Sequence, residues 1–187
     1  MVIRIAPSGS VNCEVSGFRI VVDPAPREKG ELVLKTAIDV AAINEETSVA
    51  IVNAGEYEIS GVKVTGLDME GESTKETLKT TYIVEADEIR MCFLAPITKE
   101  PTDVFLGKLG EIDVLFITSG KGLIETKKAA ALIKEIEPRI VVPRNDETAE
   151  GLMGEMGKKS EQVDRLAIKH KDFENEEGTK LVWIKEK

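Results

Sequence analysis

Histidine, cysteine and converging carboxylates carry most metal and acid–base chemistry, and this chain supplies them sparsely. His170 is the only histidine in 187 residues. It stands between Lys169 and Lys171, the setting of a surface side chain rather than of a ligand or general base. Cys13 and Cys92 form no Cys-x-x-Cys pair and read as buried thiols of a reducing compartment. Cys92 lies inside an alternating apolar run, where it serves as a small hydrophobe. A cysteine nucleophile needs a neighbouring base, and the single histidine leaves none. Ser119-Gly120-Lys121-Gly122 follows an apolar strand-like run and precedes a helix-like one. Such a loop can turn backbone N–H groups towards an anion, with Lys121, Arg144 and Asn145 as candidate ligand contacts. It lacks the Gly-x-x-x-x-Gly-Lys-Ser/Thr spacing of a nucleotide-binding loop, and a plain turn explains it as well.

The composition excludes several classes of function. The net charge is −9 and no Lys/Arg block stands out, so nucleic acid, whose binding depends on neutralised phosphates, is not the expected partner. No apolar run is long enough to span a membrane, and no charged amino-terminal stretch leads into a long apolar one. A cytoplasmic location is therefore expected. Aromatic residues make up 4% of the chain, so the core must be built from Val, Ile, Leu and Ala. Gln162 is the only glutamine, and Lys and Glu are abundant, a bias that leans towards a heat-tolerant source. The length suits one sizeable domain over residues 1–187.

Short β-branched runs dominate the first half. Residues 2–5, 11–15, 18–22, 31–35 and 48–52 read as strands. Ser16-Gly17, Ser60-Gly61 and Ala86-Asp87-Glu88 separate paired runs as hairpin turns. Thr36 to Ile43 reads as a short helix, and Asp68 to Lys79, rich in Gly, Ser, Thr and Glu, as a mobile loop. The second half alternates. Helices are expected over 101–109, 124–136 and 146–156, the last with Asp146 as its cap. Strands are expected over 113–118, 140–142, 163–169 and 180–184. Hairpins followed by strand–helix–strand units predict two sheets layered between helices.

Four segments in order resemble the metallo-β-lactamase superfamily, in particular its small lactonase-like and uncharacterised prokaryotic hydrolase branch. They are Phe18-Arg19-Ile20-Val21-Val22-Asp23-Pro24, Glu31-Leu32-Val33-Leu34-Lys35-Thr36, the Gly55-Glu56-Tyr57-Glu58 stretch running to Val64, and the span from Asp113 to Val142-Pro143. Glu56 and Tyr57 read as structural rather than catalytic. The resemblance implies an α/β fold, the αββα sandwich of two mixed sheets flanked by helices. It also implies a His-x-His-x-Asp-His metal motif directly after Thr36. That register holds Ala37, Asp39, Ala41 and Ala42 here. The remaining metal positions fall near Phe93, Pro96 and Asn145. If the family fold holds, Asp23, Asp39, Asn145 and Asp146 could meet at one mouth. Oxygen donors of that kind suit Mg²⁺ or Ca²⁺ rather than zinc, which makes Asp39 and Asp146 the metal candidates. Asp23 beside Pro24 is equally a turn former.

A catalytic zinc centre needs about three protein ligands, usually imidazole or thiolate, and an open water position. Alanine and phenylalanine donate nothing, and without the metal no hydroxide forms at neutral pH. The expectation is a non-catalytic member of the fold, a pseudoenzyme without a cofactor. It would bind a partner protein, a second copy of itself or a small anionic ligand. The alternative is a hydrolase with an atypical carboxylate-bound metal.

Overall fold

Tight turns written into the sequence set the first half of the fold. A computed structural model describes residues 1–43, 50–173 and 178–186. Strands β1 (Val2–Ile5), β2 (Val11–Val15) and β3 (Phe18–Val22) form an antiparallel meander. Ser16 and Gly17 between β2 and β3 adopt φ of 50° and 84°, the left-handed pair that matches a hairpin to strand twist. The same device joins β7 (Gly55–Ile59) to β8 (Val62–Asp68) through Ser60 and Gly61. It also joins β9 (Thr77–Ala86) to β10 (Ile89–Phe93) through Asp87 and Glu88.

Two mixed sheets result. In the first, β4 (Leu32–Leu34), β6 (Ala50–Ile51) and β14 (Leu166–Ala167) join the meander in the order β14-β1-β2-β3-β4-β6. In the second, β11 (Val114–Ile117), β12 (Ile140–Pro143) and β15 (Lys180–Leu181) extend the hairpins in the order β15-β12-β11-β10-β9-β8-β7. β5 (Ala37–Asp39) pairs with β9 off this path, and β13 (Gln162–Val163) pairs with β16 (Trp183–Ile184) in a small ribbon. Three α-helices follow the hairpins: α1 (Asp103–Leu109), α2 (Thr126–Ile136) and α3 (Asp146–Met156).

The strand period of two divides the second sheet between two cores. Met91, Phe93, Val114, Phe116, Ile140 and Val142 face the first sheet. Their neighbours Cys92, Leu94, Leu115, Ile117 and Val141 face Phe105, Leu132, Ile133 and Leu152 of the helices. Covered on both sides, β11 and β12 are buried at every residue, as their unbroken apolar runs require. Phe93 and Phe116 stack at 4.5 Å between ring centroids, nearly parallel. The first sheet turns a polar outer side to solvent, where Arg19 donates to Asn12 Oδ1 at 2.6 Å and Asn12 to Glu28 at 2.7 Å. The architecture is the mixed α/β sandwich that the segment order implied, with the helices gathered outside the second sheet.

Several local expectations change. Thr36 to Ile43 is not a helix. Ala37–Asp39 pairs with Thr77–Lys79, leaving only a 3₁₀ turn at Val40–Ala42. Residues 68–79 are not a loose loop, because β8 reaches Asp68, β9 starts at Thr77 and the buried Glu72 carboxylate pins the turn between them. Glu72 Oε1 accepts from Thr98 N at 2.7 Å, Thr98 Oγ1 at 2.8 Å and Lys99 N at 3.1 Å, and Oε2 accepts from Lys79 Nζ at 2.9 Å. The strand expected over 48–52 appears as β6, its first two residues lying outside the described ones. The late strands split into β13 with β14, and β15 with β16.

Candidate functional site

Asp23 follows β3, Thr36 follows β4, Pro96 follows β10, Thr118 follows β11 and Arg144-Asn145 follow β12. β3 runs parallel to β4, and β10 to β11 and β12, so these residues gather beyond the carboxyl ends of parallel strands, the usual place for a ligand crevice in α/β folds. They line a cavity of about 420 Å³, closed further by the Pro7-Ser8-Gly9 turn, Ala37, Leu123 and Glu186. Ala37, Pro96 and Asn145, three of the positions that the resemblance set in metal register, are among the lining residues.

An ion pair occupies the mouth. Arg144 Nη1 donates to Asp23 Oδ2 at 2.7 Å, and Nη2 donates to the Gly9 carbonyl at 2.8 Å. Asp23 Oδ1 accepts from Thr36 N at 2.7 Å, and Oδ2 also accepts from Thr36 Oγ1 at 2.6 Å. Asp23 holds φ of 52°, a left-handed conformation that Asp tolerates better than most residues. Its N–H donates to the Leu34 carbonyl, which fixes the direction of the carboxylate. The Arg144 side chain is 8% exposed and that of Asp23 26%. Reading Asp23 as a turn former and Arg144 as an anion contact missed their partnership. The available signal was two opposite charges, each directly following an apolar strand.

The other candidates lie apart or are already engaged. Asn145, not Asp146, caps α3, its Oδ1 accepting from Thr148 N at 2.8 Å. Asp146 Oδ1 accepts from Trp183 Nε1 at 2.8 Å and so bolts the carboxyl-terminal ribbon to α3. Asp39 accepts from Thr77 Oγ1 at 3.1 Å on the exposed side of β5. Neither Asp39 nor Asp146 lines the cavity. Phe93 is fully buried between the sheets, and Ala41 and Ala42 are exposed. Lys121 is exposed and outside the cavity lining. Within its loop, Gly120 N donates to Ile124 O and Leu123 N to Gly120 O, and a Cβ on Gly120 would meet Glu147 Oε1 at 2.6 Å. A carboxylate packed on the loop opposes an anion there. The His170 side chain is half exposed, 4.0 Å from Glu88. Burial pushes the Cys13 and Cys92 thiols up to about 12, so neither is a nucleophile at neutral pH.

Buried Thr148 ties this loop to α3. Its Oγ1 accepts from Ser119 N at 2.9 Å and donates to Ser119 O at 3.1 Å. Thr148→Val keeps the shape and leaves both backbone groups without that partner, and is expected to cost about 1–3 kcal/mol. A urea midpoint matching wild type would mean that solvent replaces the hydroxyl.

Metal donors do not converge at the mouth. Asp23 already accepts from Thr36 and Arg144, Asn145 Oδ1 caps the helix, and Ala37 and Pro96 carry no side-chain donor. Glu186 remains, its carboxyl raised by burial and by the Asp146 carboxylate beside it, partly offset by a backbone hydrogen bond from Asp146. Among the described residues no group of three or more His, Cys, Asp or Glu side chains could hold a metal ion. The described residues do not fit the metal centre that the resemblance implies.

The two mixed sheets, with a crevice beyond their parallel strand ends, define a metallo-β-lactamase-type sandwich. The family model described as Beta-lactamase superfamily domain matches residues 4–145, and the chain belongs to that superfamily. A metallo-β-lactamase superfamily protein from Thermotoga maritima superposes with a TM-score of 0.75 at 20% identity, over 98% of this chain and 97% of that one. A metallo hydrolase from the hyperthermophilic archaeon Ignicoccus hospitalis gives 0.65 at 14% identity, over 90% of this chain and 99% of that one. An isothiocyanate hydrolase from Delia radicum gut bacteria gives 0.66 at 8% identity, over 90% of this chain and all of that one. At these identities the likeness shows the fold alone. A search of curated proteins finds no match. No helix among the described residues is long and apolar enough to cross a membrane.

Proposed function

We propose that this protein is a non-catalytic member of the superfamily, a scaffold that works by binding a protein partner or a second copy of itself. The observation that carries the reading is the Arg144 guanidinium in contact with Asp23 at the mouth, 2.7 Å from its carboxylate. A divalent ion about 4 Å from that guanidinium would meet roughly 8 kcal/mol of repulsion at an effective dielectric near 20. Asp23, the carboxylate that could offset this, is already shared among three donors. Without a metal the family hydrolysis has no route to a hydroxide nucleophile at neutral pH. A small anion is disfavoured too, because among the described residues the lining carries Asp23 and Glu186 against Arg144.

Elemental analysis of freshly purified protein for Zn, Fe, Mn, Mg and Ca, before and after mild chelation, tests the reading. Metal no higher than trace is expected, together with no hydrolysis of esters, lactones or phosphodiesters above the protein-free rate when Zn²⁺ or Mn²⁺ is added. One tightly held ion per chain, or hydrolysis that depends on it, would restore the alternative of a hydrolase with an atypical carboxylate site.

A further inference from the structure

We infer that the Arg144 guanidinium is a resident cation that clasps the two sheets together at the mouth of this cavity. This deepens the metal-free reading, on which it rests.

Arg144 belongs to the second sheet: it follows β12, and its N–H donates to the Ile117 carbonyl at the end of β11. Both acceptors of its guanidinium belong to the first sheet. Asp23 follows β3, 121 residues away in sequence, and Gly9 lies in the β1–β2 turn, 135 residues away. Three of the positions expected in metal register flank the same spot, Ala37 beyond β4 and Pro96 and Asn145 beyond β10 and β12, whereas Asp39, Ala41, Ala42 and Phe93 do not. The receptor is built independently of the arginine. Two donors from Thr36 orient the Asp23 carboxylate, and the Gly9 turn presents a carbonyl beside it. With Arg144 removed, the described lining keeps the Asp23 and Glu186 carboxylates and no Lys or Arg. A planar fork of N–H donors suits a paired carboxylate and carbonyl in a way that a spherical, strongly hydrated ion does not. The vacated receptor should therefore take a free guanidinium ion and discriminate against sodium.

The test compares melting of the wild type, Arg144→Ala and the double variant Asp23→Asn/Arg144→Ala in 0–20 mM guanidinium chloride, with sodium chloride at equal concentration as control. Arg144→Ala is expected to melt roughly 2–4 °C higher in guanidinium than in sodium. The wild type should show no such gain, and Asp23→Asn should abolish it. Arg144→Ala responding no differently from wild type would overturn the inference. The wild type gives a second readout that no failure of folding can obscure. In its side-chain ¹⁵N spectrum the arginine signal that Arg144→Lys removes should show slowed Nη rotation and an Nε–H protected from exchange; Arg90, held by Glu85 and the Leu109 carbonyl, keeps its own signal in both proteins. If the signal lost in Arg144→Lys rotates freely in the wild type, the clasp does not exist. The two readings fail separately. Stoichiometric metal in the wild type sinks the metal-free reading, whereas a metal-free wild type without guanidinium rescue or a rigid arginine sinks only the clasp.

Discussion

Asp23→Ala is expected to destabilise the protein by about 3–5 kcal/mol, the range for breaking a buried ion pair from one side. The loss is large because one carboxylate serves three donors: Thr36 N, Thr36 Oγ1 and Arg144 Nη1. Without it, a guanidinium 8% exposed keeps only the Gly9 carbonyl, and an uncompensated buried charge costs more than the pair contributed. Arg144→Met should cost less, about 1–3 kcal/mol, because Asp23 would keep both Thr36 donors and is itself 26% exposed, so water can reach it. For a chain of this length the Asp23→Ala loss is a fall of roughly 6–20 °C in melting temperature. Urea unfolding of both single variants and the double variant measures it, with a coupling of about 0.5–3 kcal/mol expected from the cycle. If Asp23→Ala stays within the roughly ±0.5 kcal/mol of an ordinary surface change, the pair does not hold the mouth.

The second large effect concerns acid. Burial raises the Glu72 carboxyl, but the bonds from Lys79 and Thr98 outweigh it and hold the group at about 2, against the ordinary 4.5. A carboxyl depressed in the folded state contributes stability that is complete above the unfolded value and disappears as pH falls through the folded one. The window is therefore pH 4.5 down to about 2. Glu72→Gln should cost about 3 kcal/mol at pH 7, and the gap from wild type should close across that window as wild-type Glu72 takes up its proton. Stability curves of both proteins between pH 7 and 2 check this. The difference between the curves cancels the other carboxylates, so a gap that stays constant to pH 2 would remove Glu72 from the account.

Function in this family follows the site rather than the fold, and here fold and site diverge. The sandwich brings Ala37, Pro96 and Asn145 to one cavity, and the chemistry at that point is a guanidinium against a carboxylate. That the chain has one histidine is plain from the sequence. The ion pair at the mouth joins two residues 121 positions apart, and only the fold brings them together.

The features legible in the sequence are those encoded within about ten residues. Ser16-Gly17 and Ser60-Gly61 announce hairpins because left-handed backbone at a two-residue turn selects such residues. The apolar spacing of Ala129, Leu132 and Ile133 marks α2 because a helix buries one face, and the unbroken apolar runs of β11 and β12 mark strands covered on both sides. The order of these elements implies an α/β sandwich, and four segments between Phe18 and Pro143 carry the resemblance to its superfamily. Tertiary structure decided the rest. Ala37–Asp39 became a strand because β9 was there to pair with it, against a local pattern that equally fits a helix. The polar stretch around Glu72 became an anchored turn because Thr98 and Lys99, 26 and 27 residues on, supply its donors. Asp146 went to Trp183, and Asp23 to Arg144. Turn chemistry and periodicity act over neighbouring residues, so the sequence displays them directly. The partner of a buried charge is whichever group folding brings within hydrogen-bond reach, and that distance exists only in three dimensions.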